Sequence, residues 1–517
     1  MPIDIRDLYE PLRQRCRRYP VLDSLAVIHA YMQYLQFKQP LSPQIEIDET
    51  VNKTKQPGKH FYEWELEMLA REIVINAPMQ AAHSLSRWHE FSTTVNLLKE
   101  FENNISERTG PLLEKNILLE LYRIAHQQFP WQHHPSSKTL TRYFKIFGDP
   151  PMDAIVSASL GISAKELYTL GLAFIGHFMT NFGYQYPGDM SQLGLRSESL
   201  RYFVNRFSTP LSTLRHVMAR SQSYDEDYAY TFNPLRKFPL VHVAMNGRHH
   251  LVAPIPTYLF ERFTEGVFYE ICNAAGFDMA FGASFQKYVG EVLAVTAPTE
   301  RFDVLAEHEY HVGKDRKDSI DWIVADKTAT IFIECKTKRV RFDAKKVLAD
   351  STVLNADLDK MSEFIVQAYK GIVDATAGRY AHWQPTGKPI YPIVVTLEDW
   401  YAFTPEIICA IDNNVTKRLR ERGIDPNIIE HLPYTIASVD DFEVAIQVIA
   451  MNDIESVMSK KTDKQHRMWS MQPFTSGEFK TESKKVRYQL FPSDMDAIHP
   501  SLAERHTVKA DSAHTIG

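Results

Sequence analysis

Residues 319–338 read SIDWIVADKTATIFIECKTK, and this stretch decides the fold of the C-terminal half of the chain. Two runs rich in β-branched and aromatic residues, Ser319 to Ala325 and Ala329 to Lys338, flank the polar turn Asp326 to Thr328. Runs of that composition on either side of a short polar turn predict two successive strands in a β-hairpin.

Three charged side chains converge on one face of the predicted hairpin. If its turn centres on Lys327 and Thr328, Asp321 lies directly opposite Glu334. Opposed Cβ atoms in an antiparallel pair are about 4.5–5.5 Å apart, so the two carboxylates repel each other. The two-residue period of a strand puts Lys336 on the same face as Glu334. A divalent cation would compensate the repulsion, and Mg²⁺ prefers carboxylate and phosphate oxygens as ligands.

The elements around the hairpin complete an α/β domain. Val304 to Val312 predicts one more strand ahead of it, and Tyr391 to Leu397 predicts a compact strand after it. Helical periodicity covers about 284–295 and 358–375, so the order is helix, three strands, helix, strand. A helix at 406–422, a strand at 434–438 and a helix at 440–450 extend the domain.

Asp321, the twelve-residue spacer after it and Ile333-Glu334-Cys335-Lys336, set in this order of elements, resemble the PD-(D/E)xK, or restriction-endonuclease-like, nucleases. The resemblance covers about 120 of 517 residues. Ile320 stands where the family's name has proline, a position that varies widely in the family.

The resemblance implies a site and a reaction. Asp321, Glu334 and the backbone carbonyl of Cys335 would bind Mg²⁺ or Mn²⁺, and Lys336 would be the catalytic lysine. The activity implied is metal-dependent hydrolysis of phosphodiester bonds, with DNA as the expected substrate. Stand-alone members with a large unrelated N-terminal region resemble effectors of bacterial restriction or anti-phage defence.

Two further residues resemble family positions. Glu291 is similar to the acidic residue that many members carry on the first helix, and we expect it at the metal. Gln367 is similar to a glutamine on the helix after the third strand. Tyr369 follows Gln367 after only two residues, which departs from the Gln-to-Tyr spacing of one subgroup.

Charge is unevenly distributed along the chain. The net charge is −6, which argues against coating nucleic acid by bulk electrostatics. Between Lys314 and Lys346, however, ten Lys or Arg outnumber six Asp or Glu. We expect the basic side chains nearest the site to contact phosphates, although an ordinary solvated face has the same composition; they are Lys338, Arg339, Arg341, Lys345 and Lys346.

The periodicity divides the chain into four parts. Residues 1–225 are mainly helical and are expected to recognise the substrate, a protein partner or a second copy of the chain. Residues 226–280 form a β-hairpin around Asn246-Gly247 and a connecting helix. The nuclease-like domain covers 281–458, and 459–517 is a polar, partly flexible tail.

Neither export nor a membrane anchor is predicted. The N-terminus lacks a basic segment followed by an apolar run, and the most apolar stretch, Leu167 to Met179, is shorter than a spanning helix and predicts a buried one. Four cysteines without CxxC spacing suggest neither disulfides nor a zinc site, so the cytoplasm is the expected compartment.

Two other functions stay open at this level. The nuclease fold can persist as a catalytically silent module for assembly or nucleic-acid binding, although intact Asp321, Glu334 and Lys336 argue against decay. RNA is an alternative substrate, because hydrolysis by external water makes no use of the 2′-hydroxyl. A nucleotide triphosphatase is not indicated, since the chain has no phosphate-binding loop of the GxxxxGK[ST] type.

Overall fold

The computed structural model describes residues 5–47, 57–113, 123–125, 127–132, 135–225, 227–245, 247–338, 351–400 and 405–498. They form a mixed α/β protein that divides into two compact units. The first unit takes in the described residues of 5–277 and 491–498, and with them the connector predicted at 226–280 except for its last three residues. The second begins at Asp278, close to the predicted 281, and continues past the predicted 458 to Leu490.

The first unit is mainly helical, as predicted. Its helices up to Phe277 are α1 (Ile5–Cys16), α2 (Val21–Phe37), α3 (Glu63–Asn76), α4 (Trp88–Leu113), α5 (Ser137–Phe147), α6 (Pro150–Leu160), α7 (Ala164–Phe178), α8 (Ser197–Phe207), α9 (Leu211–Ser221), α10 (Pro256–Phe263) and α11 (Phe268–Ile271). Gly161, at φ 76°, ends α6, and Ser163 begins α7 by accepting the Glu166 N–H at 3.2 Å. Helix α7 is buried along its length, which confirms that prediction, and no described helix is long and apolar enough to span a bilayer.

A four-stranded sheet accompanies these helices. Its strands are β1 (Gly183–Gln185), β2 (Ser208–Pro210), β3 (Leu240–Met245) and β4 (Arg248–Val252), in the order β1-β4-β3-β2. The predicted hairpin is confirmed, because β3 and β4 pair antiparallel up to Met245 and Arg248, and Gly247 has the positive φ of 73° that the tight turn needs. Strands β1 and β2 are three residues long, which is too short to produce a recognisable alternation of apolar and polar residues in the sequence.

The second unit is built around a five-stranded mixed sheet. Its strands are β5 (Asp303–Ala306), β8 (Trp322–Ala325), β9 (Thr330–Lys336), β10 (Ile390–Thr396) and β11 (Thr435–Ser438), in the order β11-β10-β9-β8-β5. The helices are α12 (Phe277–Thr296), α13 (Ser351–Thr376), α14 (Pro405–Glu421), α15 (Ile428–His431), α16 (Val439–Met451), α17 (Ile454–Thr462), α18 (Met471–Glu478) and α19 (Lys480–Ser483). Strands β8 and β9 are antiparallel, whereas β9, β10 and β11 run parallel.

The turn between β8 and β9 is fixed by one carboxylate. Oδ1 of Asp326 accepts the N–H groups of Thr328 and Ala329 at 2.7 and 2.9 Å, and Oδ2 accepts that of Ile454 at 2.9 Å. Burial by itself would raise the pKa of Asp326, but these hydrogen bonds outweigh it and hold the pKa below its ordinary value. The turn therefore centres where the sequence predicts it.

The predicted strand from Val304 to Val312 is wrong, since it breaks into β5 and β6 (Glu309–Val312). Strand β6 pairs with β7 (Asp315–Asp318) in a separate hairpin, closed at Gly313 with φ 65°. The hydroxyl of Tyr310 donates to Asp374 Oδ2 at 2.5 Å, which ties this hairpin to α13. The break falls where three consecutive polar residues, Glu307, His308 and Glu309, interrupt the pattern before apolar residues resume at Tyr310 and Val312.

The expected polar tail from 459 onward also differs from the structure. Helices α17, α18 and α19 continue the second unit, and α20 (Pro492–Ile498) belongs to the first. Met471 and Phe474 of α18 are buried, with 1% and 0% of their surfaces exposed. Apolar residues spaced three apart among many charged ones are a weak signal, so composition pointed to a tail where short helices form. Residues 499–517 lie outside the described residues.

Candidate active site

Strand pairing places Asp321 beside Glu334. The ladder between β8 and β9 begins at Trp322 opposite Ile333, so the next pair outward is Asp321 and Glu334, as the sequence predicts. Asp321 lies just before β8, and its Oδ2 accepts the backbone N–H of Cys335 at 2.6 Å. The Asp321 side chain thus replaces the next backbone hydrogen bond of the ladder, and this bond fixes the carboxylate against β9.

The segment before β8 is held by Tyr380, a residue that follows helix α13, and by a contact near the end of β5. The hydroxyl of Tyr380 accepts the backbone N–H of Ile320 at 3.2 Å, and Tyr380 is 1% exposed. Ser319 accepts the His308 N–H at 2.8 Å through its hydroxyl. Asp321 is therefore positioned from both sides, by strand β9 and by these two buried contacts.

Lys336 joins the two carboxylates to helix α13. Its Nζ lies 2.6 Å from Glu334 Oε1 and donates to Gln367 Oε1 at 3.1 Å. The same ammonium lies 5.3 Å from the centre of the Phe364 ring, a cation–π contact. The structure thus brings Asp321, Glu334, Lys336 and Gln367 together, four of the residues that the sequence singled out.

Burial raises the pKa of both carboxylates, and the charge of a neighbouring acidic group adds to it in each case. For Asp321 burial is the main cause, and the charge of Glu334 raises the pKa further despite the Cys335 hydrogen bond and Lys336. For Glu334, which is 4% exposed, burial again outweighs the attraction of Lys336 and raises the pKa. Burial would lower the pKa of Lys336, but Glu334 and Asp321 raise it, so the lysine is charged at neutral pH.

Glu307 is a third acidic group at the site that sequence reasoning missed. It follows β5 directly, and its charge raises the pKa of both Asp321 and Glu334. Gln286 on α12 donates to Glu307 Oε2 at 3.0 Å. It lay inside the single strand predicted from Val304 to Val312, and the end of β5 at Ala306 is what brings it to the carboxylates.

Helix α12 packs against the start of β8. The indole N–H of Trp322 donates to the backbone oxygen of Gln286 at 3.0 Å, and a Cβ on Gly290 would lie 2.1 Å from the Trp322 ring. Only glycine allows this approach. Glu291 follows on the same helix, and its place at the metal stays a prediction.

The basic stretch is described only at its start. Lys338 lies two residues beyond β9 and is exposed, as a phosphate contact requires. Arg339, Arg341, Lys345 and Lys346 lie outside the described residues.

The donor set suits a hard divalent cation. The buried Glu334 and the partly buried Asp321 both have raised pKa values, and carboxylate oxygens are the ligands that Mg²⁺ and Mn²⁺ prefer. In the part of the chain that the structure describes, no group of three or more His, Cys, Asp and Glu side chains is arranged to hold a metal ion. An ion here would therefore complete its shell with backbone, water and substrate oxygens.

No family model, curated protein or solved structure matches this chain.

Proposed function

We propose that this chain is a metal-dependent nuclease that hydrolyses DNA phosphodiester bonds with a site of the PD-(D/E)xK kind. The observation that carries the proposal is the charged Lys336 ammonium 2.6 Å from the buried Glu334, beside a second, partly buried carboxylate, Asp321. In the described residues around them the elements run α12, β5, β8, β9, α13, β10, with the β6–β7 hairpin inserted after β5. This is the helix, three-strand, helix, strand order that the resemblance implies.

Each side chain has a role that follows from its position. Asp321 and Glu334, with the carbonyl of Cys335, would hold Mg²⁺ or Mn²⁺, which acts as a Lewis acid on the scissile phosphate. Lys336 would offset the negative charge that builds on the phosphate during attack by water. Gln367 orients the lysine from α13, since it accepts a hydrogen bond from Nζ.

Three further features belong to the proposal. Glu307 would raise the negative potential at the ion, because its charge already acts on both carboxylates. The mainly helical first unit would recognise DNA, a protein partner or a second copy of the chain. Restriction of foreign DNA, including that of phages, is the setting that the resemblance implies.

Incubation of the full chain with plasmid, linear duplex, single-stranded DNA and RNA tests the proposal. We expect cleavage of DNA in Mg²⁺ or Mn²⁺, none in EDTA, and none by Glu334→Gln. The matched control is Glu363→Gln, which changes a carboxylate on α13 that is 40% exposed and should cleave normally. Cleavage by Glu334→Gln would contradict the site, and a folded wild type inactive on every substrate would favour a silent module. Cleavage of RNA alone would change the substrate.

A further inference from the structure

A second concave site lies in the second unit, at the carboxyl ends of two parallel strands. The last residues of β10 and β11, Thr396 and Ser438, line a small, partly open pocket, and Thr435 and Ile436 extend its wall along β11. Helix α14 and the segment from α17 to the start of α18 supply the other walls. Crevices at the carboxyl ends of parallel strands are frequent ligand sites in α/β proteins.

The pocket contains a buried ammonium group. Lys461 of α17 is 2% exposed, and its Nζ donates only to the backbone oxygens of His466 and Arg467, both at 3.2 Å. Among the described residues, no carboxylate oxygen lies within 4.0 Å of it. Burial and the charge of Arg467 lower the pKa of Lys461 to about 8, so it is still mostly charged at neutral pH. The charges of Asp441 and Asp463 raise the pKa of Lys461 and offset part of its charge, but neither forms an ion pair with it among the described residues, so the buried ammonium still favours an anion as a ligand.

Two more polar groups in the pocket have no partner. The indole Nε1 of Trp400 and the hydroxyl of Thr435 are buried and form no hydrogen bond within the part of the chain that the structure describes. Both residues line the pocket, and they are 5% and 2% exposed. Buried donors are nearly always satisfied in proteins. With the third N–H of the Lys461 ammonium, they make three donors that lack an acceptor.

The other charged groups of the pocket are largely compensated. Arg467 donates to both carboxylate oxygens of Asp412, at 2.8 and 2.9 Å. Burial, followed by the charges of Asp399 and Asp440, raises the pKa of Asp441 to about 7, so this wall carries only part of a negative charge at neutral pH. Asp399 lines the pocket as well and adds a negative charge to this wall. Among the described lining residues, the buried side-chain groups that lack a hydrogen-bond partner are still those of Trp400 and Thr435, which can both donate, and this favours an oxygen-rich ligand.

We propose that this pocket binds the phosphate of a nucleotide at Lys461, Trp400 and Thr435, while the planar base lies outside the pocket on the exposed Trp469. A phosphate offers three terminal oxygens to three donors, and hydrogen bonds from a cation to an anion are the strong kind. Trp469 lines the same pocket with 44% of its surface exposed, and an exposed indole offers a face on which a base stacks. The site does not depend on the carboxylates at β8 and β9, so it is independent of the proposed hydrolysis.

Calorimetric titration of the full chain in EDTA tests the site without any contribution from a divalent ion. We expect adenosine 5′-monophosphate to bind, and ribose 5-phosphate and adenosine each to bind at least about tenfold more weakly, because each lacks one half of the recognition. Absence of binding by the monophosphate at millimolar concentration would overturn the proposal. Equal binding of adenosine would do the same, since the phosphate would then have no role.

Paired variants assign the binding to this pocket. Lys461→Met should weaken binding of the monophosphate at least about tenfold, whereas Lys460→Met, at the exposed neighbour over the Phe479 ring, should not. Thr435→Val keeps the side-chain shape and removes a hydroxyl that has no partner, so it should weaken binding several-fold without lowering the melting temperature. Wild-type binding by both Lys461→Met and Thr435→Val would overturn the assignment of the ligand to this pocket. If Lys461→Met does not fold, wild-type binding by Thr435→Val is sufficient to overturn it.

A competition experiment identifies the source of the phosphate. An oligonucleotide with a 5′-phosphate that displaces the monophosphate, while its 5′-hydroxyl counterpart does not, would support a strand end as the ligand. A free nucleotide is supported if neither oligonucleotide competes. Equal displacement by both would contradict phosphate recognition in this pocket.

Discussion

The Lys336 ammonium is held in place by two protein oxygens, one from Glu334 and one from Gln367. We predict that Lys336→Ala keeps metal and DNA binding but loses hydrolysis, since Asp321 and Glu334 remain to hold the ion. Loss of one positioned electrostatic donor costs about 10²–10³ in rate, or about 3–4 kcal/mol. Single-turnover cleavage at saturating Mg²⁺, with binding measured in Ca²⁺, separates the two effects.

The controls for Lys336→Ala come from the same site. Lys336→Arg should rescue poorly, because a planar guanidinium does not occupy the point-charge position of an ammonium. Gln367→Ala should lose less activity than Lys336→Ala, since it removes the group that orients the lysine and leaves the charge. Cleavage by Lys336→Ala within a few-fold of wild type would show that the lysine is not catalytic, even with both carboxylates confirmed as ligands.

The raised pKa values predict opposite stability effects for the two members of the ion pair. An acid whose pKa is raised in the folded state holds its proton there longer than in the unfolded chain, so stability falls as pH rises above its ordinary value, 4.5 for Glu334. Glu334→Gln should therefore unfold no earlier than wild type at pH 7 in EDTA, and its advantage should shrink toward pH 4. Lys336→Met should unfold earlier, because it leaves two buried carboxylates uncompensated.

Breaking a buried ion pair costs about 3–5 kcal/mol of unfolding free energy. For Lys336→Met we expect a loss near the lower end of that range, because 19% of the Lys336 side chain is exposed. Thermal unfolding between pH 4 and pH 8 measures both variants. A Glu334→Gln protein that melts well below wild type at pH 7 would show that this carboxylate stabilises the fold, contrary to the direction of its pKa.

At the scale of elements, the contact between α12 and β8 determines how Gln286, Trp322 and Glu307 meet. We predict that Gly290→Ala moves α12 away from the Trp322 ring, at a cost of about 1–3 kcal/mol in unfolding free energy, and lowers cleavage as well. The matched control is Gly282→Ala on the same helix, where a Cβ meets nothing within 4 Å. That change should be neutral or stabilise by about 0.5–1 kcal/mol. Equal melting temperatures for the two variants would contradict the packing argument.

The sequence was informative about elements where two local signals agreed. The hairpin of β8 and β9 combines apolar runs with a turn, so its register, and with it the pairing that brings Asp321 to Glu334, followed directly. The break between β5 and β6 had only one such signal, because three consecutive polar residues from Glu307 interrupt the pattern but no Gly, Pro or Asn marks a turn there. Gln367 reached the site through packing of α13 on the sheet, which a residue pattern does not encode. The resemblance supplied that residue.

At the scale of the whole molecule, charge separates a protein that binds nucleic acid locally from one that coats it. The chain carries −6 overall, so attraction to DNA must come from restricted surfaces such as the stretch from Lys314 to Lys346. The described residues form two units, and the charged site, the basic Lys338 and the pocket of Lys461 all belong to the second. The strength of DNA binding by the full chain should therefore depend on a few cations of that unit.

The salt dependence of DNA binding reports how many of these cations contact phosphates. Neutralising Lys338, Arg339 and Arg341 together should reduce the salt slope of DNA binding by about 0.9 for each phosphate that the variant no longer binds, because each bound phosphate releases condensed counter-ions. The control neutralises Lys417, Arg420 and Arg422, three exposed cations of the same unit, so that both variants change net charge equally. Titrations in Ca²⁺ at several salt concentrations measure the slopes. Equal slopes for the first variant and the wild type would mean that this basic run is a solvated face, and a reduced slope in the control alone would move the DNA path to α14 and the turn that follows it.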